Sequence, residues 1–185
     1  MKKKIIAMLL FTLLIYGCSG GQPKGTQSEQ CKKRGVTNCW GSDDYGFSLI
    51  YPDGWQVEES GGAKVAFTSS QEAGFSSKCS IMREEQPIPV YKTFSEFLNN
   101  MGASSIELYK NNSITIVSFE NRTLNGMPGH EFVITYNRGG QDYKVQQVSL
   151  IGNEHLYTIT CSTRPTDYDR YKPVFESVIT SFKFG

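Results

Sequence analysis

The sequence predicts an α+β domain built on an antiparallel sheet, and three observations predict it. Short runs of alternating apolar and polar residues recur between clusters of Gly, Asn, Asp and Pro. Two other stretches, one near residue 97 and one near residue 175, place apolar residues at helical spacing. Phe and Tyr are scattered through the last two-thirds of the chain, which suits a packed, sheet-rich domain rather than a disordered one. Residues 18–185 are enough for one such domain plus a tether, and not for two sizeable cores.

The domain is expected to start near Asp43. Phe47, Leu49 and Tyr51 alternate with Ser48 and Ile50, as a half-buried strand requires. Pro52-Asp53-Gly54 supplies a turn: Pro presets one torsion, Asp can bond the backbone, and Gly accepts a positive φ. Trp55 and Val57 resume an extended stretch, and Val65–Thr68 and Cys79–Met82 read as short strands that end before Pro87-Ile88-Pro89. Thr93-Phe94-Ser95-Glu96 has the form of a capping box, in which Thr accepts from the Glu amide and Glu reaches back. Phe94, Phe97, Leu98 and Met101 then form one apolar stripe, read as core packing, and Gly102 ends the helix.

From Ser113 the chain becomes a meander. Strands are expected over 114–124, 130–137, 142–151 and 155–163, with turns at 125–129, 138–141 and 152–153. Turn residues this regularly spaced argue for antiparallel neighbours. Pro165 stops the last strand. Tyr171, Phe175, Val178 and Phe182 fall close to one face of a final helix, with Pro173 expected in its first regular turn, where a missing N–H matters little.

The N-terminus carries a different signal. Lys2, Lys3 and Lys4 precede an almost wholly apolar run, Ile5 to Tyr16, and Ile15-Tyr16-Gly17-Cys18 follows at once. Charged, apolar and small residues in that order form a secretory signal, assigned to residues 1–17. Twelve residues rise roughly 18 Å as a helix, short of a hydrocarbon core of about 30 Å. The Cys directly after the cut resembles the lipobox of bacterial lipoproteins. In that family the Cys thiol is joined to a diacylglycerol and becomes the mature N-terminus. Ile15 and Gly17 fit the pattern, whereas Tyr16 is larger than the small residue usual there. An ordinary signal peptide cut elsewhere is the alternative.

On the lipoprotein reading Cys18 is the lipidation site, and two or three acyl chains give stable attachment. Ser19, in a position where Asp usually signals inner-membrane retention, favours the outer membrane, facing the periplasm. Residues 18–42 are rich in Gly, Ser, Gln, Lys and Thr, with Val36 and Trp40 the large apolar exceptions. They are expected to be a lipidated flexible tether.

Removing residues 1–17 takes three of the nineteen basic side chains and leaves sixteen against eighteen acidic ones. No basic excess remains to neutralise phosphates, so nucleic acid is not an expected partner. Cys31, Cys39, Cys79 and Cys161 form an even set in an exported chain, which suggests two disulfides. Of three pairings, Cys31–Cys39 and Cys79–Cys161 are favoured: the first pair is close in one polar segment, and the second joins two expected strands. Chain entropy gives roughly 2.5 kcal/mol for the short loop and about 4.5 kcal/mol for the long one. Buried free thiols at Cys79 and Cys161 are the alternative.

Three stretches taken together resemble the PsbP-like family of the Mog/PsbP superfamily. They are Tyr45-Gly46-Phe47-Ser48-Leu49-Ile50-Tyr51-Pro52-Asp53-Gly54-Trp55, then Leu124-Asn125-Gly126-Met127-Pro128-Gly129, then Tyr157-Thr158-Ile159-Thr160-Cys161 with the closing Phe175–Phe182. The resemblance covers residues 43–185. It implies a central antiparallel sheet with helices on both faces, an α/β/α sandwich, and activities of binding and assembly rather than catalysis. The matching residues read as structural, so no functional site is carried over.

The chemistry available is sparse. His130 and His155 are the chain's two histidines; no GxSxG, HExxH or Gly-rich phosphate loop occurs, and no cofactor is implied. The cysteines lack the paired close spacing of a zinc site. His130 beside a turn and His155 opening a strand are read as surface or rim residues. Asp43-Asp44, Glu58-Glu59 and Glu84-Glu85 are read as solvated charges, since neighbours on an extended chain point apart. The expected function is a membrane-tethered, non-catalytic binding or assembly domain acting on another cell-envelope protein. The alternative is a small envelope hydrolase or ligand-handling enzyme in which His130, His155 and distant acids converge.

Overall fold

The computed structural model describes residues 28–60, 63–84, 103, 105–107, 109, 112, 114–153 and 155–185. The signal segment, Cys18, the tether up to residue 27, Pro87-Ile88-Pro89 and the capping-box helix lie outside the described residues. In chain order the elements are α1 (Glu29–Arg34), β1 (Cys39–Ser42), β2 (Phe47–Ile50), β3 (Gln56–Ser60), β4 (Ala63–Thr68), β5 (Lys78–Arg83), β6 (Thr115–Leu124), β7 (Met127–Arg138), β8 (Gln141–Gly152), β9 (His155–Thr163), a short 3₁₀ turn (Pro165–Asp167), α2 (Tyr168–Ser181) and β10 (Lys183–Phe184).

Where one central sheet was expected, the described residues form two. The larger is antiparallel with the order β3-β4-β5-β9-β8-β7-β6, and β1-β2-β10 forms a small second sheet. Sequential hairpins build most of the larger sheet. The exception is β5 against β9, which sets Cys79 opposite Cys161 across a long connection. Cys79 and Cys161 are disulfide-bonded, with a Cα–Cα distance of 4.0 Å.

The β6–β7 turn is tighter than the five residues the sequence suggested. Asn125 and Gly126 have φ of 50° and 83°, so these two residues alone close the hairpin. Asn and Gly tolerate positive φ, and a two-residue turn of that hand matches strand twist. Met127, Pro128 and Gly129 therefore belong to β7. A Cβ at Gly129 would collide with the Ser149 carbonyl, so glycine is needed there for close strand approach.

Alternation along the strands sorts the side chains onto two faces. On one face Val133, Val148, Leu150, Tyr157, Ile159 and Cys161 pack beneath α2, which contributes Phe175, Val178 and Ile179. On the other, Phe132, Ile134 and Val145 pack with Tyr109. Among the described residues α2 is the long helix laid across the larger sheet, and it covers one face. Pro173 sits in the second turn of α2 rather than the first. The 3₁₀ turn takes up the positions before Tyr168, so the regular helix begins later than Pro165 suggested.

The tether boundary also moves. Residues 28–42 are folded against the domain. The Ser28 hydroxyl accepts from the Cys31 amide and caps α1. Cys31 is bonded to Cys39, and β1 pairs with β2, setting Trp40 opposite Leu49. Trp40 is 1% exposed, with its ring 5.2 Å from that of Phe47. Trp40, one of the two large apolar exceptions in this polar segment, is the side chain that anchors it in the core.

Candidate interaction surface

The two histidines are held apart. His130 lies on β7 between Asn121 of β6 and Ser149 of β8. It is 2% exposed, not a rim residue, because Phe119 packs on its ring at 5.2 Å. Its Nδ1 is 3.0 Å from Asn121 Oδ1. His155 opens β9, and its Nδ1 lies 2.8 Å from the Glu84 carbonyl. A carbonyl only accepts, so Nδ1 of His155 carries the proton and donates. Three register positions and two strand spacings separate the rings, roughly 14 Å. The convergence that a hydrolase would need between them is not formed.

The described members of the acid pairs, Asp43, Asp44, Glu58 and Glu84, do not assemble either. Asp43 and Asp44 are exposed in the β1–β2 turn. Glu58 faces Lys78 at 3.6 Å. Burial pushes the Glu84 carboxyl above the ordinary carboxylate range. Among the described residues no three His, Cys, Asp or Glu side chains come together in a way that could hold a metal ion.

One charged network is built into the fold. Arg122 of β6 pairs with Glu131 of β7 and, through Nη2 at 2.6 Å, with Glu176 of α2. Gln146 of β8 donates to Glu131 at 2.8 Å and also to Glu176. Burial alone would raise the Glu176 carboxyl, but hydrogen bonds from Arg122 and Gln146 outweigh it and hold the group below its ordinary value. Burial, then the charges of Glu131 and Glu176, push the Tyr168 hydroxyl up to about 12. Arg122, Glu131, Glu176 and the Gln146 amide nitrogen are spent on one another, so the network clamps α2 to three strands; the buried Tyr168 hydroxyl and Gln146 Oε1 beside it have no hydrogen-bond partner among the described residues.

The aromatic stretch that opens the domain is structural in the same sense. The Tyr157 hydroxyl donates to the Tyr45 carbonyl at 3.0 Å. Lys64 Nζ and the Arg83 guanidinium lie 4.7 and 5.4 Å from the Tyr45 ring centre, within cation–π range.

What the strand order leaves open is an edge. Among the described residues β6 ends the larger sheet, and from Val117 to Asn121 its residues are exposed. Val117 is 54% and Phe119 38% exposed; with Val36 they are the large exposed apolar side chains among the described residues. The opposite edge, β3, has five residues, an irregular register and the charged pair Glu58–Lys78. Short, bulged and charged edges resist pairing with another chain, and long apolar ones invite it. β6 is ten residues long, and its one bulge, between Ile116 and Ser118, turns Val117 outward. Sequence reasoning missed this surface because strand order decides which strand is last. The charged network had a signal: once Asn125-Gly126 is taken as a two-residue turn, Arg122 and Glu131 fall on one face of the hairpin.

Comparison with known proteins places this arrangement. The PsbP family model matches residues 38–184. The fold is similar to the solution structure of cyanobacterial PsbP from Synechocystis, with 19% identity and a TM-score of 0.61 over 91% of this chain and 98% of that one. It is also similar to LpqN of Mycobacterium tuberculosis, described as involved in cell envelope biogenesis, with 12% identity and a TM-score of 0.55 over 85% and 97% of the two chains. No curated protein matches the sequence significantly. With the family match starting two residues before Trp40 and running to the end of β10, the chain belongs to the PsbP family.

Proposed function

We propose that this chain is a lipoprotein of the bacterial cell envelope, attached through Cys18, whose PsbP domain binds another envelope protein without catalysing a reaction. The observation that carries the reading is the pairing of an exposed apolar edge on β6 with histidines that are separated and individually committed. The lysine-led apolar segment ending at Cys18 supports the anchor, and the outer membrane facing the periplasm is the favoured site. The near-neutral, slightly acidic mature chain argues against nucleic acid. LpqN, a structural neighbour, is described as acting in envelope biogenesis, which is compatible with the compartment proposed here.

The test is fractionation of the full chain and Cys18→Ser after labelling with palmitate, followed by chemical crosslinking in membranes. The full chain should carry label, sediment with membranes and form a discrete crosslinked species. Cys18→Ser should lose the label and the membrane association. A Cys18→Ser protein that still carries label removes the anchor. A monomeric pattern at every crosslinker length removes the partner.

A further inference from the structure

We propose that the β6 edge binds an extended segment of a partner polypeptide as an added antiparallel strand, with a lysine or arginine of that segment placed across from Glu120. This deepens the binding reading above and rests on it. Edge strands recognise extended peptides through main-chain hydrogen bonds, with alternate side chains supplying specificity.

Electrostatics supplies the choice of occupant. Glu120 stands directly opposite Glu131 in the β6–β7 register, and like charges directly opposite disfavour pairing. Arg122 is one cation shared between Glu131 and Glu176, so the cluster beside Glu120 keeps a net negative charge. Glu120 is exposed and joins no ion pair among the described residues. A cation on the outer side of β6 would relieve the repulsion and meet Glu120 at cross-strand distance. On the other face of the strand Phe119 is stacked on Phe132 at 4.6 Å and keeps an open side. An apolar residue next to the cation in the added strand would cover it. A second copy of this chain is a poorer occupant. The one basic residue of β6 is Arg122, and both Glu131 and Glu176 already hold it.

The experiment uses the full chain in detergent micelles and two synthetic eight-residue peptides. One alternates valine with threonine around a single central lysine; the other replaces that lysine with glutamate. Hydrogen exchange read by mass spectrometry should show the lysine peptide slowing exchange in segments covering 115–124. The lysine peptide should bind about fivefold tighter than the glutamate peptide, as a cross-strand charge pair requires. Glu120→Lys should reverse that preference, and its unchanged melting temperature would show that the fold is kept. Protection elsewhere, equal binding of both peptides, or no protection at millimolar peptide overturns the proposal. So does concentration-dependent protection of β6 without peptide, which would make a second copy the occupant. A crosslinked partner found while β6 stays inert leaves the binding function standing and sinks only this edge.

Discussion

Trp40→Ala separates a folded N-terminal segment from a passive tether. Trp40 is buried in the main core and packs on Phe47. Truncating a buried Trp to Ala costs about 3–5 kcal/mol, a large part of the roughly 5–15 kcal/mol that holds a domain together. For a domain of this size each kcal/mol moves the melting temperature by about 2–4 °C, so a fall of about 10–15 °C is expected. Trp40→Phe refines the test. The indole Nε1 is buried with no hydrogen-bond partner, so replacing the indole with a phenyl ring loses no bond and relieves an unsatisfied donor. The Phe variant should therefore melt well above the Ala variant. The assay is thermal unfolding of the full chain and both variants by far-UV circular dichroism, with disulfides intact. A Trp40→Ala melting point within 3 °C of the parent would refute the reasoning and return residues 28–42 to the tether.

Other perturbations have equally definite outcomes. Non-reducing peptide mapping should recover Cys31 linked to Cys39 and Cys79 linked to Cys161, and Cys31→Ala with Cys39→Ala should cost about 2.5 kcal/mol in denaturant melts. Arg122→Met should cost about 2–3 kcal/mol, discounted because these side chains keep some solvent contact, since Glu131 and Glu176 lose their shared cation. The Glu176 carboxyl is held low in the fold, so its stabilising share is present above an unfolded value of about 4.3 and lost as pH falls through the lower folded value. Acid titration of Glu176→Gln should show a shallower loss below about pH 4.5 than the parent. Burial holds the Tyr109 hydroxyl up to about 12, partly offset by its bond from Gln147, so stability complete below about pH 10 should fall as pH rises toward 12. Tyr109→Phe should soften that alkaline loss in the same melts.

The meander was open to reading because its signals are local. Alternation placed β6 to β9 within a few residues, and turn glycines marked their ends. Met127-Pro128-Gly129 has turn composition, so the sequence alone suggests a longer β6–β7 turn than the two residues that form it. Its outcome was decided by what Asn125-Gly126 can do in two residues and by how closely Gly129 approaches Ser149. The apolar face marks the final helix, but Pro173 falls in its second turn because the 3₁₀ turn that delays the helix has no strong sequence mark. Trp40 shows the limit of composition. One side chain and one short disulfide loop outweigh a run of polar neighbours. Both histidines were visible at once, yet the burial of His130 depends on Phe119 crossing from β6. The candidate interaction edge was the least accessible feature, since it exists only once β5 pairs with β9 and leaves β6 outermost.

Binding at the membrane surface is tested most directly by site-resolved photo-crosslinking in intact membranes. A photoreactive side chain is placed at position 117 on the β6 edge, or at position 53 in an exposed turn. The expected result is one discrete product with another envelope protein from position 117, absent from position 53 and lost when Cys18→Ser releases the chain. The same products from both positions, or no product from 117 in membranes where the full chain is anchored, would contradict it.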